Sequence, residues 1–291
     1  MSRFRRVTPL RPLRRAAAHG YDDRMNSSEM KNLKRLDDKS ISPLYRFIRW
    51  AVWRLSPAYT LRGTENLPEG ACVIVGNHSQ MYGPIAGELY TPGKHSTWCA
   101  GEMMHRREVA EYAYRDFWSG KPKSVRWFYR IVSRLIPPLS QLVFTSAHTV
   151  PVYHDARLMT TFRESLVRLQ AGEKLVIFPE KNLRFNNILY AFQDKFIDVA
   201  RMYRRKTGEE LDFVPLYLAP ALKTMTFGAP VRFRGEEPIE AERGRICRYL
   251  TEEITRMALE QPEHRVVPYA NLPKRQYPRS RPLEVYDEEA R

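Results

Sequence analysis

Two short apolar runs, each breaking off into polar residues, constrain the fold of this chain more than any other feature. Cys72-Val73-Ile74-Val75 runs into Gly76-Asn77-His78-Ser79, and Leu175-Val176-Ile177 runs into Phe178-Pro179-Glu180. Continuous β-branched runs of this length read as strands buried on both faces, the habit of parallel sheets. Parallel neighbours need helical crossovers, and the chain supplies them. Arg157 to Ala171 carries Leu158, Phe162, Leu166 and Leu169 on one stripe, with Asp155 placed to cap its start and Gly172 past its end. Pro84 to Leu89 predicts a helix after the first strand, and Phe192 to Tyr203 predicts another, ending near Gly208. Leu211 to Leu218 predicts a further strand carrying Val214-Pro215-Leu216-Tyr217, and Ile239 to Leu259 a last helix stopped by Pro262. The expected fold is α/β: a mixed, mostly parallel central sheet flanked by helices, with an N-terminal amphipathic helical segment. Open sheets of this kind bind ligands in the crevice outside the carboxyl ends of their strands. His78 and Glu180, each at such an end and expected to be exposed, therefore share one candidate site. A histidine titrates near neutrality, which suits proton abstraction from an alcohol. A lone histidine at a strand end more often just hydrogen-bonds its own loop.

Four segments are expected. Residues 1–40 form a basic arm with Arg3, Arg5, Arg6, Arg11, Arg14 and Arg15 and no acid before Asp22, read as disordered. Residues 41–60 form an amphipathic helix in which Leu44, Ile48, Val52 and Leu55 make a stripe, thickened by Tyr45, Phe47, Trp50 and Trp53 and interrupted by Arg46, Arg49 and Arg54. That pattern suits a membrane interface, with rings at headgroup depth and arginines on phosphates. An ordinary helix packed on the domain is the competing reading. Residues 61–262 form the α/β domain. Residues 263–291 form a Pro-rich tail expected to extend over the surface.

The 291 residues carry a formal charge of +15, so an anionic partner is expected: nucleic acid, anionic lipid or a phosphorylated substrate. Arg126-Trp127-Phe128-Tyr129-Arg130 mixes cations and rings as single-strand platforms do. Its apolar positions Phe128, Ile131, Val132 and Leu135 follow helical spacing, which favours a membrane-facing or core helix. Cys72, Cys99 and Cys247 have neither metal nor redox spacing, so they read as small hydrophobes in a reducing compartment. His95, His105 and His148 have no metal-ligand spacing with acidic or thiol partners. No stretch reads as a transmembrane helix.

In order along the chain come a strand ending in Asn77-His78, then Val150-Pro151-Val152 with Arg157, then Phe178-Pro179-Glu180, then Val214-Pro215-Leu216. This series resembles the glycerolipid acyltransferase superfamily typified by bacterial 1-acylglycerol-3-phosphate acyltransferases, over roughly Arg62 to Glu237. The resemblance implies transfer of a fatty acyl group from acyl-CoA or acyl carrier protein to a lysophospholipid-like hydroxyl, with no cofactor or metal. His78 would be the general base and Asn77 its loop support. Phe178, Pro179, Glu180, Lys181, Arg184 and Arg157 would bind the acceptor. It further implies a cytoplasmic protein peripheral on the inner face of the membrane, working in phospholipid biosynthesis, with no nucleic acid as partner.

The chain departs from the family pattern at three points. The aspartate of the family's His-x4-Asp block falls at Gly83, and Glu88, Glu102 and Asp155 are the candidates to replace it. Lys181-Asn182-Leu183-Arg184 stands where the family has Gly-Thr-Arg. Extra residues around Gly101 to Gln141 lengthen the path from His78 to Glu180. The missing aspartate keeps a second reading open, in which a catalytically altered or inactive relative binds lipid at a membrane surface. A basic nucleic-acid-binding protein, suggested by charge alone, is the third.

Overall fold

The computed structural model describes residues 43–115, 122–147, 149–153, 155 and 157–281. The basic arm, His148, His154 and the end of the tail lie outside the described residues. Among the described residues ten strands and eight helices follow one another, as alternation of the apolar runs requires. The strands are β1 (Thr60–Arg62), β2 (Cys72–Gly76), β3 (His95–Ala100), β4 (Val150–Val152), β5 (Lys174–Ile177), β6 (Glu180–Arg184), β7 (Tyr190–Phe192), β8 (Asp212–Ala219), β9 (Thr224–Phe227) and β10 (Val231–Arg232). The helices are α1 (Pro43–Leu55), α2 (Tyr82–Tyr90), α3 (Arg106–Ala113), α4 (Arg126–Leu135), α5 (Pro137–Ser146), α6 (Leu158–Gln170), α7 (Asp198–Thr207) and α8 (Ile239–Leu259).

The main sheet has the order β1-β9-β8-β2-β5-β3-β4, with β10 also on β8. Pairings among β8, β2, β5, β3 and β4 are parallel, as is β1 with β9; β8 is antiparallel to β9 and β10. The α/β architecture with a mixed, mostly parallel sheet is therefore observed. β2 and β5, the two unbroken apolar runs, are direct neighbours, with Val73 opposite Leu175 and Val75 opposite Ile177. Their side chains alternate between two cores, as a two-residue period dictates. Val73, Val75, Leu175, Ile177, Phe213 and Tyr217 join α6, α7 and α8 on one face. Cys72, Ile74, Val176, Val214, Leu216 and Leu218 meet Ala86 of α2 on the other.

Phe192, read as the start of a helix, ends β7 instead, and α7 begins at Asp198. Gly172 and Gly208 close α6 and α7 with φ of 76° and 78°, the left-handed geometry that suits glycine at a helix end. Asp155, in contrast, caps nothing. It accepts from the Arg157 amide and guanidinium, and α6 has no side-chain cap. All three cysteines are free, and burial pushes each thiol up to about 12.

Part of the expected surface tail is instead built into the domain. The His264 imidazole meets the Tyr217 hydroxyl at Nε2 (2.7 Å) and the Ser280 hydroxyl at Nδ1 (3.0 Å), and all three residues are buried. Val266 joins the core beside α8. A Pro-rich segment lacks amide donors but not apolar surface, and these side chains had a core to enter. The extra residues between His78 and Glu180 form α3, α4 and α5, which pack together, and α5 touches α1. Helix α1 turns Tyr45 inward, its hydroxyl donating to Glu88 at 3.1 Å, and leaves Phe47, Trp50 and Trp53 exposed. Of its expected stripe, Ile48 and Val52 are half-buried while Leu44 and Leu55 face solvent. No helix among the described residues is long and apolar enough to cross a membrane.

Candidate active site

The site begins where β2 runs out. Asn77 is buried, not exposed, and its carboxamide continues the β2–β8 pairing. Oδ1 accepts the Leu218 amide at 2.8 Å, and Nδ2 donates to the Leu218 carbonyl at 3.0 Å and to Ser79 Oγ at 2.8 Å. Asparagine, with a donor and an acceptor on one short stem, is suited to satisfying both groups of a strand residue. The chain then turns through Ser79 and Gln80 with φ of 47° and 54°, a left-handed region that L-residues rarely occupy. The Gly83 amide donates back to the His78 carbonyl at 3.1 Å. A Cβ at position 83 would lie 2.2 Å from that oxygen. The position where the resemblance expects aspartate therefore has no room for any side chain.

β5 ends one strand over. Glu180 is 3% exposed, so the expected exposed acid is a buried one. Its Oε2 accepts the His78 amide at 2.5 Å and its Oε1 accepts the Tyr190 amide at 2.6 Å. Burial pushes its carboxyl up to about 7, opposed by those two amides. Glu180 thus ties β2, β6 and β7 together, and it reaches the histidine through the main chain, not the ring.

The His78 imidazole is packed edge-on by two aromatic rings. Phe178 lies 5.8 Å away at 68° and Tyr269 lies 5.5 Å away at 86°. Phe178 itself sits over Gly76 and Gly87, where a Cβ would approach its ring to 3.0 and 3.3 Å. Tyr269 in turn meets Tyr190 at 5.7 Å. Burial holds the imidazole below its ordinary value, with weaker opposing main-chain interactions from Gln80 and His78 itself, so the ring is neutral at pH 7. Nδ1 is buried without a well-formed hydrogen bond.

None of the candidate replacement acids bonds that ring. Glu88 takes the Tyr45 hydroxyl and pairs with Arg49 at 3.5 Å. Asp155 is held by Arg157, and Glu102 makes no hydrogen bond to His78. The remaining predicted ligands are not brought to the histidine either. Lys181 and Arg184 are exposed on β6, and neither makes an ion pair among the described residues. Pro179, half-buried, uses its carbonyl to accept the Gln193 amide at 2.9 Å. Arg157 follows β4, three strand spacings from β2, or about 14 Å. Its guanidinium is already forked onto Asp155 (2.8 Å), paired with Glu108 (3.3 Å) and stacked 4.2 Å over Tyr153. In this arrangement its guanidinium is engaged by side chains of its own surroundings.

Gln80, Tyr269 and Tyr277 escaped sequence reasoning. Gln80 donates to the Ala270 carbonyl at 3.2 Å and accepts the Tyr277 hydroxyl at 3.2 Å, which brings Tyr269 onto His78. Partners almost 200 positions apart leave no local signal. Among the described residues no group of three His, Cys, Asp or Glu side chains is placed to hold a metal ion. What the arrangement offers is a half-buried neutral base on a rigid loop, walled by aromatic rings. No protein-family model matches the chain, and no curated protein matches it.

Proposed function

We propose that this protein is a membrane-surface acyltransferase of the glycerolipid type, moving a fatty acyl group from acyl-CoA or acyl carrier protein to a lysophospholipid-like hydroxyl. The observation that carries the reading is His78: a neutral imidazole at the shared carboxyl edge of β2 and β5, on a loop held by Asn77 and Glu180. The ordered motif series, from Asn77-His78 to Val214-Pro215, supports the family. With Nδ1 buried, Nε2 is the nitrogen available to an acceptor. It removes the proton as the acceptor oxygen attacks the thioester carbonyl. The tetrahedral intermediate then collapses, the C–S bond breaks, and the imidazolium returns its proton to the departing thiolate. Phe178 and Tyr269 fix the ring and exclude water. Glu180 holds the loop and is not itself an acceptor ligand. The outward rings of α1 suit the headgroup region, which supports a peripheral position on the inner face of a membrane.

A second reading is favoured by one observation, the unpartnered Nδ1. In Ser-His-Asp enzymes, neutralising the aspartate behind the histidine lowers kcat about 10⁴-fold. On this reading the chain binds lipid without acyl transfer. Purified protein is incubated with liposomes, a set of lysophospholipids and labelled acyl-CoA or acyl carrier protein, beside His78→Ala. Transfer lost in the variant supports the enzyme. No transfer from either donor, with vesicle binding intact in both proteins, supports the second reading.

A further inference from the structure

Helix α4 is inside out. Its inward side carries buried Ser133, whose hydroxyl bonds the Arg130 carbonyl at 2.9 Å, and half-buried Tyr129 and Val132. Its outward side carries Trp127 (65% exposed), Phe128 (51%), Ile131 (49%) and Leu135 (73%). A helix in water normally presents the reverse pattern. Along one edge of this apolar face run Arg126, Arg130 and Arg134, spaced four apart so that they align on the helix surface. They join Lys123, Tyr114, Trp127 and Ile131 around an open cavity of about 520 Å³ whose lining holds four cations and no acid. The Arg130 guanidinium lies 5.2 Å over the Tyr114 ring, which orients it without neutralising it. Lys123, Arg130 and Arg134 have no acidic partner among the described residues.

We propose that this cavity is a docking site for the headgroup of an anionic phospholipid. Lys123, Arg126, Arg130 and Arg134 surround the phosphate, and Trp127, Ile131 and Leu135 enter the boundary between headgroups and acyl chains. Charge complementarity selects the occupant: a cation row asks for phosphate, and the adjoining apolar face asks for a non-aqueous medium, which lipid supplies together. The chain's own start is excluded as occupant by its charge, six arginines before the first acid. A nucleic acid would satisfy the cations but leave Ile131 and Leu135 in water. The inference rests on the membrane-surface part of the proposed function and not on the acyl transfer.

The test is sedimentation of the full chain with phosphatidylcholine vesicles, with and without phosphatidylglycerol. The site variant is K123Q/R130Q/R134Q, and the control K195Q/R205Q/R265Q removes three exposed cations elsewhere. Each cation near an anionic surface contributes about fivefold to binding, so the site variant is expected to bind phosphatidylglycerol vesicles about 100-fold more weakly. Its binding to phosphatidylcholine alone is expected to change little, and the control to lose no more than a few fold. I131S/L135S is expected to weaken both vesicle types. The proposal is overturned if the site variant binds as wild type, or if the control loses as much. It is equally overturned if wild type prefers single-stranded RNA to vesicles through the same cations. Acyl transfer measured on the same samples separates the two claims. Headgroup selectivity without transfer leaves this site standing and removes the reaction; transfer without selectivity does the opposite.

Discussion

Gly83→Ala tests the claim that the His78 loop has been built without the family's aspartate. In a helix, glycine to alanine ordinarily stabilises by about 1 kcal/mol, because glycine has more backbone entropy to lose. Here the sign is expected to reverse. The added carbon would sit 2.2 Å from the His78 carbonyl oxygen, about 1 Å inside ordinary contact, and 2.9 Å from the carbonyl carbon behind it. Both obstacles are backbone, so no rotamer change relieves them. Either α2 withdraws or the loop does, and both break the Gly83 amide bond to that carbonyl. Forcing a methyl into a packed site costs about 1–3 kcal/mol and a lost hydrogen bond about 1 kcal/mol more. Net of the helix gain, destabilisation of about 1–3 kcal/mol is expected. Urea unfolding of wild type, Gly83→Ala and Gly83→Asp reads it directly. Gly83→Asp is expected to be no more stable than Gly83→Ala and to raise no transfer rate, because its carboxylate arrives with the same displaced backbone. A Gly83→Ala protein as stable as wild type, or a Gly83→Asp protein that transfers faster, would refute the reasoning.

Glu180→Gln should change how stability depends on pH. A carboxyl held at about 7 in the fold and 4.5 when unfolded binds its proton more tightly in the native state, so wild type loses stability as pH rises between those values. Relative to the glutamine variant, wild type is expected to lose about 2.5 kcal/mol between pH 5 and pH 8; parallel curves would contradict the buried ionisation. Repeating the pair in a His78→Gln background removes the imidazole's own titration from the comparison. Tyr269→Ala should raise the His78 titration, read by NMR, toward the ordinary imidazole value, while Tyr269→Phe keeps it low; equal values in all three proteins would detach the C-terminal segment from the site. His264→Ala should destabilise by about 1–3 kcal/mol, because the buried Tyr217 hydroxyl loses its partner while Ser280 keeps the amide of residue 264, measured by chemical denaturation.

The strands β2, β5 and β8 were legible in the sequence because burial on both faces demands unbroken apolar runs, which nothing else in a chain of this composition produces. The helices α6, α7 and α8 were legible for the complementary reason, a 3.6-residue stripe closed by glycine or proline. That His78 and Glu180 share one edge of the sheet followed from the rule that ligand sites gather at carboxyl edges; the adjacency of β2 and β5 is decided by the strand order. How the two residues meet did not follow from that rule. Whether Glu180 reaches the imidazole or the amide of His78 depends on a turn through Ser79 and Gln80 at positive φ, and neither residue advertises that conformation. Gly83 read as a missing aspartate; only the 2.2 Å approach of a carbonyl reveals it as a requirement of the backbone. Arg157 looked available because sequence records its charge and not the Asp155 and Glu108 that hold it. The inward or outward direction of α4 was equally undetermined, since helical spacing identifies an apolar face without saying what faces it. The sequence by itself determined the central strands and the helices that flank them, through periodicities that act over a few residues. The tertiary structure decided the walls of the site, because His78 and Gln80 meet Tyr269 and Ala270 across about 190 residues through packing that no local pattern encodes.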